Sequence, residues 1–137
     1  MVLLDTNALL WSALGDHRLG EQARGLIDQA RDSGELFLSP ISAWEIAMLV
    51  DKGRFRLNLP VQAWIAQAVR GHDLQWATLT GDIAAGAGIL PGSIHGDPAD
   101  RMIIAAARAL GCAVLTADRK ILAYARAGHV RAIDARD

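Results

Sequence analysis

The sequence predicts an α/β fold in which a mainly parallel central sheet is flanked by helices. Short apolar runs alternate along the chain with longer segments in which apolar residues recur at helical spacing, as is typical of strands and helices that alternate around a parallel sheet. The chain has 137 residues, of which 52% are hydrophobic and 21% charged. This composition is that of a folded domain rather than a disordered chain. We therefore expect residues 1–137 to form a single domain.

The first strand is predicted from the apolar run Val2–Leu4, which ends at the polar sequence Asp5-Thr6-Asn7. Residues 8–11 continue with helical spacing, so a buried strand turns directly into a helix. A second helix is predicted over 21–31, where apolar residues recur on one helical face and Ser33-Gly34 stops the pattern.

The middle of the chain repeats this alternation. Leu36–Leu38 predicts a second strand, and a helix over 43–49 follows it and ends at Gly53. Pro60 begins the next helix, which carries its apolar residues on one face and ends at Gly71.

The last part of the chain contains the most apolar helix, which begins at Asp97-Pro98 and reaches Gly111. Because it is hydrophobic on all sides, we expect it to be buried on several sides. The other predicted elements are a third strand near Leu74–Ala77, a helix over 81–89, a fourth strand at Ala113–Leu115, a helix from Asp118 to about Ala127 and a candidate fifth strand at Val130–Ile133.

Charge and cysteine content exclude several classes of function. Fourteen Lys and Arg against fifteen Asp and Glu give a formal net charge of −1, so no strong overall field attracts nucleic acid or anionic lipid. The single cysteine, Cys112, excludes an internal disulfide and a cysteine-rich zinc site. No apolar run before Asp5 has the length of a signal peptide, and none elsewhere could span a bilayer. We expect a cytoplasmic protein without membrane association.

Acidic residues stand where the predicted strands end. Asp5 follows the first strand and Asp118 the fourth, Glu45 lies in the first turn of the helix after the second strand, and Asp97 and Asp100 open the buried helix. The ligand crevice of an open parallel sheet lies outside the carboxyl ends of its strands. We therefore expect these carboxylates to meet at one edge of the sheet.

Carboxylates that meet at one edge repel each other. Two unit charges ~4 Å apart cost about 4 kcal/mol at an effective dielectric of ~20, so a bound cation is expected to offset the repulsion. Oxygen ligands without thiolates suit Mg²⁺ or Mn²⁺. Such an ion activates water and polarises a phosphoryl group, which indicates metal-dependent phosphodiester hydrolysis.

Each acid also has a purely structural interpretation. Ser42-x-x-Glu45 matches a capping box, and Asp97-Pro98-x-Asp100 matches a helix start. Asp5 and Asp118 would cap the helices that follow them, although Thr6 or Asn7 could cap in place of Asp5 and leave its carboxylate free. What favours a functional interpretation is that all these acids fall at one predicted edge.

Several other residues have both a functional and a structural interpretation. His95 would contact a phosphate or, as we favour, make a structural hydrogen bond in its loop. The tryptophans, at 11, 44, 64 and 76, fit core or interface positions better than base-stacking platforms. If four acids are neutralised by metal, fourteen cations face eleven remaining acids. Binding of RNA would then depend on local groups such as Arg119 and Lys120, or Lys52, Arg54 and Arg56.

Four acidic motifs stand in order along the chain. They read VLLDTNALLW at 2–11, LSPISAWEIA at 38–47, HGDPADRMIIAAA at 95–107 and LTAD at 115–118. Together they resemble the motifs of PIN-domain proteins, and more narrowly those of VapC-type toxins of type II toxin–antitoxin systems. The resemblance covers practically the whole chain.

The resemblance implies a PIN-like three-layer sandwich and an endoribonuclease that depends on Mg²⁺ or Mn²⁺. It also implies an RNA substrate, a small antitoxin as partner and a homodimer. Asp5, Glu45, Asp100 and Asp118 match the four acids that the family uses as catalytic metal ligands. Asp97 belongs to a variant of the third motif and ranks below Asp100 as a ligand, and Ala99 stands where the family usually has an aromatic residue.

Two functions of other classes remain open at this stage. One is a non-catalytic binding module whose acidic edge receives a basic segment of a partner. The other is a phospho-acceptor domain of the receiver type, which also clusters aspartates around Mg²⁺. That type requires a pair of acids near the first strand and a lysine after a late strand, whereas Asp5-Thr6-Asn7 lacks the pair and Lys120 falls in a predicted helix.

Overall fold

The computed structural model describes residues 1–137 and contains a five-stranded sheet flanked by helices. Neighbouring strands all pair in parallel, in the order β3-β2-β1-β4-β5. The strands are β1 Val2–Leu4, β2 Leu36–Leu38, β3 Gln75–Trp76, β4 Ala113–Thr116 and β5 Arg131–Asp134. The predicted α/β sandwich is confirmed, with a sheet that is entirely rather than mainly parallel.

All seven predicted helices form. They are α1 Thr6–Leu14, α2 Glu21–Asp32, α3 Pro40–Asp51, α4 Val61–Gly71, α5 Gly81–Gly88, α6 Pro98–Leu110 and α7 Arg119–Arg126. Helix α6 ends at Gly111, whose φ of 66° lies in the left-handed region that glycine adopts without strain. No helix in the structure is long and apolar enough to cross a bilayer.

Helix α3 begins earlier than predicted, and the predicted capping box is wrong. Ser39 is the N-cap residue, because its hydroxyl accepts a hydrogen bond from the Ile41 amide at 3.2 Å. Pro40 occupies the first helical position, where its fixed φ suits the helix and its missing N–H costs nothing. Ser42 and Glu45 therefore lie inside the helix, and the Glu45 side chain is free for a role other than capping.

The core lies on both faces of the sheet, because successive strand residues point to opposite sides. Leu4 packs on one face with Leu9 and Ile46. Leu3 packs on the other face with Ile103 of α6 and Val114 of β4. Helix α6 is buried on more than one side, as expected, since Ile104 and Ala107 are also inaccessible to solvent.

The order of the strands creates a switch point between β1 and β4. The chain adds β2 and β3 on one side of β1 and then returns to add β4 and β5 on the other side. The segments that leave β1 and β4 therefore diverge, and the crevice they leave at the carboxyl ends is the usual ligand site of such sheets. Asp5 lies at this point, and its amide donates to the Leu115 carbonyl of β4 at 3.0 Å.

Candidate active site

Asp5 is held at the switch point by two hydrogen bonds. Asp5 is buried and only 5% exposed to solvent. Oδ1 accepts from the Thr6 amide at 2.7 Å, and Oδ2 accepts from the Thr116 hydroxyl at 2.6 Å. Asp5 is itself the N-cap of α1, so the expectation that Thr6 or Asn7 would cap in its place is wrong. Each carboxylate oxygen still has a lone pair that no protein group uses.

Asp118 caps α7, as its structural interpretation predicted. Oδ1 accepts from the Lys120 and Ile121 amides at 2.8 and 3.1 Å. The Asp118 amide donates to the hydroxyl of Thr116 at 2.9 Å. The buried Thr116 hydroxyl thus connects Asp5 to the turn that carries Asp118, so one side chain from the end of β4 orients two segments of the site.

Glu45 reaches the site from α3 through Thr6. The Thr6 hydroxyl oxygen lies 2.5 Å from Glu45 Oε1 and 2.9 Å from the Ser42 hydroxyl. Thr6 and Ser42 are both buried. The first residue of α1 therefore fixes the carboxylate of a different helix. The positioning of Glu45 by Thr6 and Ser42 was not predicted from the sequence.

Asp100 is paired with His95. His95 Nε2 lies 2.7 Å from Asp100 Oδ2, and the two side chains are 18% and 14% exposed. His95 Nδ1 is buried and has no hydrogen-bond partner, so a proton on Nε2, where it is donated to Asp100, leaves no buried N–H unpaired. The structural hydrogen bond that we favoured for His95 is confirmed, and its acceptor is a candidate site residue.

Asp97 and Arg101 flank Asp100 but have structural partners. Asp97 is the N-cap of α6, with Oδ1 accepting from the Asp100 amide at 3.0 Å. The Arg101 guanidinium turns away from the acids and donates to backbone carbonyls, including those of Ala87 at 2.8 Å and His95 at 3.3 Å. Arg101 therefore stabilises the loop that carries His95. This role was not predicted from the sequence.

The acids influence each other's protonation. The pKa of Asp5 is raised to about 6, chiefly by burial and also by the charges of Asp100 and Asp118, against the lowering effect of the hydrogen bonds from Thr116 and Thr6. Burial, with the charges of Asp5 and Asp100, raises the pKa of Glu45 to about 7. The pKa of Asp100 is also raised, first by burial and then by Asp97 and Asp118.

No arginine or lysine forms an ion pair with any of the four acids. The site thus holds partly buried negative charge whose only basic partner is His95. Buried charges are normally paired or bound to a metal, so the arrangement favours a cation from outside the chain.

The donor set fits Mg²⁺ or Mn²⁺, because it consists of carboxylate oxygens without thiolates. No three His, Cys, Asp or Glu side chains meet at direct ligand distance in this conformation. Mg²⁺ is usually held by one or two carboxylates together with water, so this spacing is compatible with such an ion. The residues that could hold it are Asp5, Glu45, Asp100 and Asp118.

A polar cleft of about 470 Å³ opens beside Asp100 and Asp118. Its lining contains no hydrophobic residue and consists of His95, Gly96, Asp97, Asp100, Asp118, Arg119 and Lys120. A second cavity of about 500 Å³ lies near the start of β4, lined by residues such as Arg108 and Cys112 and by no carboxylate. The polar cleft therefore combines space with two of the candidate acids, Asp100 and Asp118, whereas Asp5 and Glu45 do not line it.

Comparison with known proteins decides the family. Residues 2–127 match the PIN domain family. The chain belongs to the PIN-domain family. It is also 35% identical over 123 residues to Ribonuclease VapC22 of Mycobacterium tuberculosis, an alignment that covers 90% of this chain and 91% of that protein. The resemblance to VapC-type PIN domains is confirmed, and the matched segment of this PIN domain contains all four acids and both threonines that orient them.

Proposed function

We propose that this PIN domain, residues 1–137, is a metal-dependent endoribonuclease and the toxin of a toxin–antitoxin pair. The observation that carries the proposal is the site at the switch point, where four chain segments present acids that no lysine or arginine neutralises. This PIN domain is similar to a protein named a ribonuclease. The acids of its site are groups suited to the hydrolysis of a phosphodiester.

In the proposed mechanism Asp5, Glu45, Asp100 and Asp118 are the residues that would hold Mg²⁺ or Mn²⁺, together with water. The ion, when bound, lowers the pKa of water and polarises the phosphoryl group. Thr116 keeps Asp5 oriented, and His95 keeps Asp100 oriented through the 2.7 Å hydrogen bond. These contacts preorganise the acids before substrate arrives.

Glu45 is the proposed acceptor of the proton that the attacking water loses. Thr6 occupies Oε1 of this carboxylate, and Oε2 remains open. A pKa of about 7 in the free protein brings the group close to neutral pH, where a general base is most effective.

The proposed protein partner follows from membership of the VapC group. VapC toxins pair with antitoxins, so we propose a small antitoxin that covers the acidic site. We also propose a homodimer as the toxin's assembly. We place the protein in the cytoplasm, where an RNA substrate is present.

The test is cleavage of single-stranded RNA by the purified chain in EDTA, followed by restoration of Mg²⁺ or Mn²⁺. We expect cleavage only with the metal, and fragments that carry a 5′-phosphate and a 3′-hydroxyl. Glu45→Gln should be inactive under the same conditions, which would exclude a contaminating nuclease. Glu21→Gln, at an exposed acid at the start of α2, should retain activity and so show that the loss is specific to Glu45. Absence of cleavage with either metal would favour a non-catalytic binding module.

A further inference from the structure

Two basic side chains share the polar cleft with the acids of the site. Arg119 and Lys120 are the first residues of α7, both are exposed, and both line the cleft beside Asp100 and Asp118. Neither forms an ion pair with any carboxylate. The cleft thus contains unpaired positive charge next to unpaired negative charge.

Each acid that lines the cleft has one oxygen bonded to another group of the chain, and none bonds to Arg119 or Lys120. Asp118 Oδ1 accepts from backbone amides of α7, Asp97 Oδ1 accepts from the Asp100 amide, and Asp100 Oδ2 is bonded to His95. Because Asp118 also occupies the Lys120 and Ile121 amides, the side chains of Arg119 and Lys120 are the main donors that α7 offers to a ligand in the cleft.

We propose that Arg119 and Lys120 form a subsite for a backbone phosphate of the RNA strand, next to the phosphate that is cleaved. The inference rests on the proposed ribonuclease function and deepens it. The lining of the cleft contains no Trp, Tyr or Phe on which a base would stack, whereas two cations suit a phosphodiester. Contacts to phosphate position a strand without reading its sequence, and here they would set the register in which the strand enters the acidic site.

Two other exposed arginines provide a matched control. Arg70 and Arg126 lie in the last turns of α4 and α7, and neither makes an ion pair or a side-chain hydrogen bond. Because α4 precedes β3 and α7 precedes β5 in the parallel sheet, both arginines lie at the amino edge of the sheet, opposite the acidic edge. Charge removed at Arg70 and Arg126 changes the net charge equally but leaves the cleft intact.

The experiment measures the dissociation constant of single-stranded RNA by fluorescence anisotropy over a series of salt concentrations. All proteins carry Asp5→Asn and are studied in Mg²⁺, so that bound RNA stays intact. In this background Arg119→Gln with Lys120→Gln is compared with Arg70→Gln with Arg126→Gln. Oligouridine and oligoadenine are the probes, because the loss of a phosphate contact should weaken the binding of both RNAs equally.

We expect the cleft variant to bind both RNAs several-fold more weakly than the control variant. The slope of log affinity against log salt should fall by about 0.7, since the subsite holds one phosphate and each lost phosphate contact on a single strand contributes about 0.7. Arg119→Lys with Lys120→Arg retains both charges and should restore affinity and slope. A merely structural role of these exposed residues would change melting temperature and leave the slope unaltered.

Cleavage by the corresponding proteins with Asp5 intact separates this inference from the proposed function. A reduced slope without any metal-dependent cleavage would support the subsite and contradict the ribonuclease. Cleavage with identical affinity and slope in the cleft and control variants would overturn the subsite and leave the ribonuclease standing. Loss of affinity for only one of the two RNAs, or no RNA binding at all, would also overturn it.

Discussion

Two threonine hydroxyls hold carboxylates of the site. Thr116 donates to Asp5, and Thr6 contacts Glu45 at 2.5 Å. A buried carboxylate is tolerated only when it is hydrogen-bonded, and these hydroxyls supply that partner without adding a positive charge. The site therefore keeps its negative charge available to a cation while each acid stays in a fixed orientation.

Thr116→Val tests the role of this hydroxyl, because valine has nearly the same shape and no hydrogen-bonding group. We expect the free energy of unfolding to fall by about 1–3 kcal/mol, since the Asp118 amide and Asp5 Oδ2 both lose their buried partner. RNA cleavage should fall as well. Urea denaturation measures the first effect, and Thr78→Val, at an exposed threonine, should change the unfolding free energy little. Equal stability of the two variants would contradict the role assigned to Thr116.

The candidate acids could be located from sequence, whereas most of the contacts that orient them could not. Asp5 and Asp118 follow apolar runs, and the end of a strand fixes which edge they occupy. Local patterns allow Thr116 either to orient an acid or a water or to cap the next helix, and describe Thr6 only as a cap. Thr116 and Asp5 are 111 residues apart in sequence, so the hydrogen bond that decides between these roles depends on β1 and β4 being neighbours.

At the scale of elements, the loop between α5 and α6 is fixed by a residue of the helix that follows it. Arg101 donates to carbonyls at the end of α5 and in the loop, including Gly88 at 3.4 Å and Ile94 at 3.4 Å. Because His95 lies in this loop and holds Asp100, the position of one acid depends on Arg101.

Arg101→Met retains the aliphatic stem and removes the donors to these carbonyls. We expect a loss of about 1–3 kcal/mol of unfolding free energy, since partly buried carbonyls lose their partners, and a clear reduction in RNA cleavage. Arg70→Met is the control, since Arg70 is exposed at the end of α4 and makes no side-chain hydrogen bond. Hydrogen exchange should show faster exchange confined to 89–97 in Arg101→Met, and unchanged exchange there would contradict the anchoring role.

The start of α3 is an element boundary that could not be predicted from the sequence. Ser39-Pro40 and Ser42-x-x-Glu45 both resemble helix starts, and local preference alone does not choose between them. The structure uses the first, because β2 ends at Leu38 and Pro40 continues directly into a helix. This choice frees Glu45 from the backbone and lets it reach Thr6.

At the scale of the whole molecule, the order of the strands concentrates negative charge at one edge. The net charge of −1 hides this asymmetry, since no lysine or arginine pairs with the acids of the site, while acids elsewhere, such as Asp16 and Asp134, are paired with Arg18 and Arg136. The parallel sheet could be predicted from the alternation of strands and helices along the chain. The order of the strands could not, because short apolar runs carry no information about which strands pair.

The concentrated charge predicts that the metal-free protein loses stability as pH rises. The folded-state pKa values are about 6 for Asp5 against 3.8 ordinarily, and about 7 for Glu45 against 4.5. A raised pKa means that the folded state binds protons more tightly than the unfolded state, so the unfolding free energy falls between about pH 4 and pH 7. The shift at Asp5 corresponds to about 3 kcal/mol.

Urea denaturation in EDTA across this pH range measures the effect. Asp5→Asn should reduce the decline of the unfolding free energy with pH, because the titrating group is gone. Asp51→Asn, at an exposed acid near the end of α3, should show the same decline as the wild-type protein. Below this range the lowered pKa values of Asp16 and Asp134 act in the opposite direction. A stability that is flat or rises from pH 4.5 to 7 in the wild-type protein would contradict the clustering of acids.

The most direct test of the central claim is RNA cleavage by Asp5→Asn in saturating Mg²⁺ or Mn²⁺, beside Asp51→Asn as a variant of equal charge. Asparagine keeps the shape of Asp5 and removes the charge at the switch point. The proposed site predicts that Asp5→Asn loses more activity than the ~100-fold that loss of an outer-shell partner typically costs at a metal site, while Asp51→Asn cleaves like the wild-type protein. Full metal-dependent cleavage by Asp5→Asn would contradict the assignment of this edge as the active site.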